Sequence, residues 1–421
     1  MDIPVAGNRS LADLNLITYP GVYPRSISMS RSFVLIALLC AFSACSAQVQ
    51  TAGWRSDGDG RYLDANPPLH WAPDSNVAWK TPLPSWSNAS PVLVNGGDRL
   101  FVCSEPDKIM AVNRADGAIL WKDSVGKAVE VEAIKAHDAN GYSSATPVTD
   151  GEHVFSVFGV GAVASHTVDG ELLWARVVQQ PQHGWGHSAS PALGKGVLVV
   201  HIVDLFGLDP ATGEEKWRVP AEVKWGSPVV ADIGGTEVVI TPAGDVFRAA
   251  DGQTLAHAIG NMEFATPVVQ DGVVYFIEKK SVAVKLPSAL GDSLEVETLW
   301  QSRIKGSRHY ASPVIHDGLI YAVSREEKFT VLEAASGAVV YEKDLELNGS
   351  GSNSAYPSVT LAGDKLFVSS ESGVTLVLEP GRVYSEVARN QVEGFRSSPV
   401  FAGDRMYLRA FDHLYCFSEK N

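Results

Sequence analysis

The feature that most limits what this chain can become is a short phrase that returns eight times. It reads NASPVLV at Pro91, SATPVTD at Pro147, SASPALG at Pro191, WGSPVVA at Pro228, FATPVVQ at Pro267, YASPVIH at Pro313, SAYPSVT at Pro357 and RSSPVFA at Pro399. Successive prolines stand 56, 44, 37, 39, 46, 44 and 42 residues apart. A period near 44 suits a four-stranded propeller blade and is too long for ankyrin or tetratricopeptide units.

Behind nearly every proline comes a turn and an alternating, β-rich run, as in DGVVYFI (271–277) and GDKLFVS (363–369). A third segment ends in a Gly-bearing turn and an aromatic residue, as in AVNRADGAILW (111–121) and LFGLDPATGEEKW (205–217). The glycine supplies the positive φ that a tight hairpin needs, and the aromatic opens the next strand. Each unit therefore predicts strands A, B, C and D. The chain ends near a third strand, His413 to Phe417, while Asn76 to Lys80 precedes the first proline with no A, B or C before it. The N-terminal strand is expected to complete the last blade, and the fold class is all-β, an eight-bladed propeller over 76–421.

The third segments resemble the A-x-D-x-x-T-G-x-x-x-W pattern of the pyrroloquinoline-quinone-like repeat family. Ala111 to Trp121, Ala164 to Trp174 and Gly207 to Trp217 match it, Val331 to Tyr341 carries Tyr for Trp, and Ala256 replaces the aromatic in blade 4. Trp121, Trp174, Trp217, Trp300 and Tyr341 are thus expected to dock neighbouring blades. The same repeat builds quinoprotein dehydrogenases, an outer-membrane assembly scaffold lipoprotein and sensor regions of bacterial serine/threonine kinases, so the resemblance implies a fold and not one activity.

Residues 29–47 run from Met29 through Arg31, an apolar stretch from Phe33 to Phe42 and small residues to Ala47. That is the order of a secretory signal peptide, with an apolar part too short to span a bilayer. Met29 is the expected start and 1–28 stand outside fold reasoning; cleavage is expected near Ala47, with 48–75 an irregular lead-in. Phe42-Ser43-Ala44-Cys45 loosely resembles a lipobox, so the alternative is a lipid anchor at Cys45 on an outer-membrane lipoprotein. The expected location is periplasmic or secreted, and the expected assembly a monomer. Residues 48–421 carry 31 basic and 46 acidic side chains. A net charge near −15 makes nucleic acid a poor partner.

Strand A of each blade lies nearest the axis, so residues just before the prolines are expected to ring one mouth of the channel. Two positions before, every residue is Ala, Gly or Ser, which crowding explains. Three and four positions before, the ring includes His187, Lys224, Trp225, Glu263, His309, Tyr310, Asn353 and Arg396, with Trp86 nearby. Together these are the expected contacts for a protein partner or a small polar ligand, against the simpler reading of a water-filled funnel.

No catalytic residue and no metal ligand is assigned. HGWGHSASP (183–191) holds GHSAS around Ser188, but a nucleophile elbow needs Gly at position 190, where this chain has Ser leading into a repeated strand. His183, His187, His309 and Glu263 come from separated segments without short ligand spacing. Asp57-Gly58-Asp59-Gly60 lacks the rest of a calcium loop and reads as a turn. Quinoproteins of this fold pair adjacent cysteines over the quinone and hold calcium through carboxylates and amides; with no Cys-Cys pair and no C-x-x-C-H, neither pyrroloquinoline quinone nor calcium is the expected cofactor. The expectation is a binding or scaffold protein, with a quinoprotein dehydrogenase and a kinase-linked sensor as alternatives.

Overall fold

The computed structural model describes residues 52–93, 97–130, 134–182, 184–291, 293–348 and 354–419. The signal segment with Cys45, together with His183 and Asn353, lies outside them. Eight sheets follow one another along the chain, each antiparallel in the order A, B, C, D. In blade 3 these are Ala192–Gly194, Val197–His201, Asp204–Leu208 and Glu215–Pro220. Blade 8 is completed as expected: Val77–Pro82 pairs antiparallel with His413–Phe417.

Strands B and C are buried on both faces, as in Arg99–Ser104 and Lys108–Asn113, because blades stack face to face around the ring. The docking aromatics fasten those faces. Indole Nε1 of Trp121, Trp174, Trp217 and Trp300 donates to a backbone carbonyl of the next blade, on Val168, Pro210, Ala249 and Ala334 at 2.8–2.9 Å. Each ring lies over the hairpin glycine of that blade. At Gly213 (φ +70°) a Cβ would come within 2.5 Å of Trp174, so the repeat's glycine serves both the turn and the neighbour's indole. A register shift between strands C and D recurs beside this position in all eight blades. Tyr341 packs half-buried against Phe329, and burial pushes its phenol up to about 12.

Two blades lack the aromatic. At Ala256 the gap is taken by apolar side chains that include Leu290 and Leu294. At Ala388 it is filled from the lead-in: Trp71 stacks on Phe367 at 6.1 Å and meets Phe417 at 5.8 Å, while Asn390 holds its backbone N–H at 2.9 Å. The lead-in also supplies Arg61–Tyr62, a parallel fifth strand on blade 7.

Around the axis a ring of hydroxyls joins the blades. The backbone N–H of Ser90 donates to Thr146 Oγ1, Thr146 to Ser190 Oγ, Ser190 to Ser227, Ser227 to Thr266, Thr266 to Ser312, Ser312 to Ser358, Ser358 to Ser398, and Ser398 back to Ser90, all at 2.8–3.0 Å. In seven blades the ring residue immediately precedes the proline. In blade 7 it follows Pro357, so Val359 holds the place the prolines hold elsewhere. The proline spacing therefore sets blade 7 two residues out of phase, and Asn353 is not the equivalent of His309. Thr266→Val keeps the shape but removes the acceptor for the buried Ser227 N–H, with an expected cost of about 1–3 kcal/mol in chemical denaturation. An unchanged midpoint would show that the ring adds nothing to stability.

Candidate functional site

Side chains alternate along strand A, so the residues one and three before the proline position share a face, as do those two and four before it. The first pair faces the axial channel. Counted in the corrected phase, blades 1–3 contribute Asn88, Ser144 and Ser188 to its wall, while blades 4–8 contribute Trp225, Phe264, Tyr310, Tyr356 and Arg396. One half of the wall is thus small and polar, the other aromatic and cationic. The enclosed volume is about 560 Å³, the hydroxyl ring encircles its lower part, and Trp54 of the lead-in separates it from a second space of about 270 Å³ at the far end.

The aromatic half is a continuous ladder. Tyr310 stacks on Tyr356 with centroids 4.4 Å apart and planes 5° from parallel, and meets Phe264 edge-on at 5.0 Å. The Arg396 guanidinium sits 4.4 Å over Tyr356, and that of Arg308 lies 5.4 Å over Phe264 while donating to Tyr310 Oη at 3.1 Å. Acidic side chains set back from the channel position this wall. Glu278 accepts the backbone N–H groups of Glu263, Phe264 and Ala265 at 2.7–3.1 Å, and Glu371 pairs with Arg396. Burial raises the Glu278 carboxyl, against the pull of those three donors.

Part of the long segment between blades 1 and 2 reaches over the upper mouth. Its Ala139 carbonyl accepts from Arg396 and, at 3.1 Å, from Asn88 Nδ2; Asn140 Nδ2 donates to the carbonyls of Trp185 (2.8 Å) and His187 (3.1 Å). His137 stacks on the half-exposed Trp185 at 3.7 Å. Glu105 anchors the segment by accepting from Tyr142 N and from Ser143 N and Oγ.

Of the sequence-derived candidates, the channel gathers Trp225, Tyr310 and Arg396. Trp86, His187, Lys224, Glu263 and His309 do not border it. Trp86 lies against Gly141 of the mouth segment, and Lys224 bridges Glu222 and Glu263 at 2.9 Å each. His187 and His309 point the other way along the same alternation and are buried. Tyr356 was hidden by the phase of blade 7, although Ser358 followed by an extended run marks the true register. Arg308, Arg325, Trp185 and Trp54 carry no repeat signal. The 56-residue first gap, the longest, is the one that contains the mouth segment.

Burial lowers His187, His201 and His309 from 6.5 to about 4. Because these folded values lie below the unfolded one, the stabilisation from neutral imidazole is complete above about pH 6.5 and is lost as pH falls from there towards about 4. Each contributes up to about 3 kcal/mol. The raised carboxyls of Glu105 and Glu278 act in the opposite sense. A net fall in denaturation midpoint between about pH 7 and about pH 5 is expected; a rise would show that the carboxyls dominate.

The wall does not fit a calcium-bridged quinone. Among the described residues no carboxylate borders the 560 Å³ space, whose amides are only Asn88 and Asn140; Asp57, Asp232 and Glu237 line the smaller space beyond Trp54, and Cys103 and Cys416 are separate, buried thiols. No group of three or more His, Cys, Asp or Glu among the described residues could hold a metal.

Comparison with solved structures finds the same fold at low identity. BamB from Moraxella catarrhalis superposes with a TM-score of 0.60 at 13% identity, over 80% of this chain and 98% of that one. A quinohemoprotein alcohol dehydrogenase from Comamonas testosteroni gives 0.59 at 11%, over 89% and 82%, and the computationally designed Ika8 protein 0.54 at 11%, over 81% and 99%. No curated protein matches the sequence. A family model described as outer membrane protein assembly factor BamB matches residues 69–257, 226–341 and 292–380. With most of the propeller so matched, and with the repeat's glycines and tryptophans locking blade to blade, the chain belongs to the BamB-type family of pyrroloquinoline-quinone-like repeat proteins.

Proposed function

We propose that the protein is an exported, non-catalytic binding or scaffold propeller that holds a protein or a small polar ligand at its channel and upper face. The observation that carries this reading is the make-up of the channel wall: aromatic and guanidinium groups suited to contact, and no carboxylate among the described residues to act as base or to hold calcium. The family description as an assembly factor supports a protein partner, and with it a place in the periplasm or at the outer membrane. The segment 29–47 supports export, and no helix among the described residues is long and apolar enough to cross a membrane.

Capture from a periplasmic extract of the native host, with wild type beside Trp185→Ala and Trp225→Ala/Tyr310→Ala, tests the reading. A partner retained by wild type and lost from these variants is the expected result. Reduction of an artificial electron acceptor with alcohols or sugars would replace it with the quinoprotein reading.

A further inference from the structure

We propose that the open inner edges of blades 3 and 4, at the lower mouth beyond Trp54, receive an extended segment of a partner protein that carries lysine or arginine. The inference rests on reading this chain as a binding propeller and adds a second contact, at the end opposite the upper face.

The backbone supplies the first argument. Strand A of each blade is the innermost, and in an antiparallel ladder every second residue turns its N–H and C=O away from the partner strand, here towards the axis. In blade 4, Ile233 and Thr236 close the hairpin between strands A and B, so Val230 and Asp232 point inwards; in blade 3, Gly194 and Val197 close it, so Leu193 does. The lead-in takes the matching groups elsewhere. In blade 7 the Leu361 N–H donates to the Gly60 carbonyl at 2.9 Å, and in blade 2 Thr149 exchanges bonds with Ala52 at 2.8–2.9 Å. The N–H groups of Leu193, Val230 and Asp232 have no hydrogen-bond partner among the described residues. Blade 4 offers the longest such edge, five residues in Val229–Ile233 where the other described strands A have two or three. A bare edge is a template for another strand, and Arg61–Tyr62 on blade 7 shows the lead-in using one.

Charge selects the occupant. The space beside these edges, about 270 Å³, is walled by Asp57, Asp232 and Glu237, with no basic side chain among the described residues that border it. The three carboxylates accept from the backbone N–H groups of Asp59, Gly235 and Lys195 at 2.6–3.2 Å, neutral donors that leave the charge in place. Arg55 lies in the field of Asp57, yet burial and the neighbouring Asp59 still push the Asp57 carboxyl up to about 6, so negative charge there is under-compensated. Leu193, Val229 and Val230, half-buried, complete the wall and suit the aliphatic stem of lysine or arginine.

The test is calorimetric titration of the exported chain with the acetylated, amidated pentapeptide TKVKT. The peptide TEVET, TKVKT methylated on every backbone amide, and spermidine are the comparisons. TKVKT is expected to bind one to one, at least about tenfold more tightly than its methylated form or spermidine, to weaken with added salt, and to slow hydrogen exchange at Val230 and Asp232. TEVET is expected not to bind. Asp57→Asn/Asp232→Asn, at exposed positions and with amides able to keep both backbone bonds, is expected to lose at least about tenfold in affinity without a fall in melting temperature. Trp225→Ala/Tyr310→Ala is expected to bind TKVKT as wild type does. Failure of TKVKT to bind, equal binding of its methylated form or of spermidine, equal binding by the Asp57/Asp232 variant, or loss of binding in the Trp225/Tyr310 variant would each overturn the inference. If TKVKT fails while the partner is still captured through Trp185, this docking assignment falls and the scaffold reading stands.

Discussion

Trp79→Ala is expected to destabilise the propeller by about 3–5 kcal/mol, the range for truncating a well-packed indole. Trp79 stands on Val77–Pro82, which joins the two ends of the chain within blade 8. Its ring is 8% exposed, lies 6.0 Å from Tyr407, and donates through Nε1 to the Arg114 carbonyl of blade 1 at 3.1 Å. The same side chain therefore fills the docking slot between the last and first blades and pins the closing strand. Loss of either leaves an open sheet edge at the seam. Ala78→Ser, on the same strand with an exposed side chain, is the control and should change stability by less than about 0.5 kcal/mol. Urea denaturation of both variants checks the claim; equal midpoints would mean that closure depends on the backbone ladder alone.

The second large effect is expected at Arg55, whose side chain is fully buried in the lead-in. Its Nη2 donates to the carbonyls of Pro313 (2.6 Å), Val359 (2.9 Å) and Asp59 (3.0 Å), tying 52–60 to blades 6 and 7. Burial lowers its guanidinium to about 10, still charged at neutral pH. Removal leaves two blade carbonyls without the buried donor they share, so Arg55→Ala should cost about 3 kcal/mol. It also frees Trp54 from its place in the channel, so limited proteolysis should cut the lead-in of the variant before the blades. Wild-type resistance to protease would contradict the role given to Arg55.

The propeller was legible in the sequence because its constraints are local and repeated. A hairpin needs a glycine at positive φ, the next blade's indole needs that glycine bare, and strand A needs small residues near the axis, so these positions recur wherever the geometry does. The register of blade 7 was misread because proline served as the ruler, although the shared physical requirement is the hydroxyl one residue before the strand: Ser358 meets it and Pro357 does not mark it. The wall of the channel was half legible. Period-two alternation assigns Trp225, Tyr310 and Arg396 to the axis, and the same rule, applied to the small residues two before the proline, turns His187 and His309 towards the blade interfaces. Trp54, Trp71 and Arg55 could not be placed, since the lead-in repeats nothing and the contacts of Arg55 and Trp71 are made more than two hundred residues away in blades 6, 7 and 8.

The claim that the channel binds without redox chemistry is tested most directly by titrating the purified exported chain with pyrroloquinoline quinone and calcium, then supplying an artificial electron acceptor with alcohols and sugars. The account predicts no acceptor reduction and no calcium dependence of any binding, because among the described residues no carboxylate borders the 560 Å³ space beside the aromatic wall to hold the cation there. Stoichiometric, calcium-dependent uptake of the quinone with substrate-driven reduction of the acceptor would contradict it.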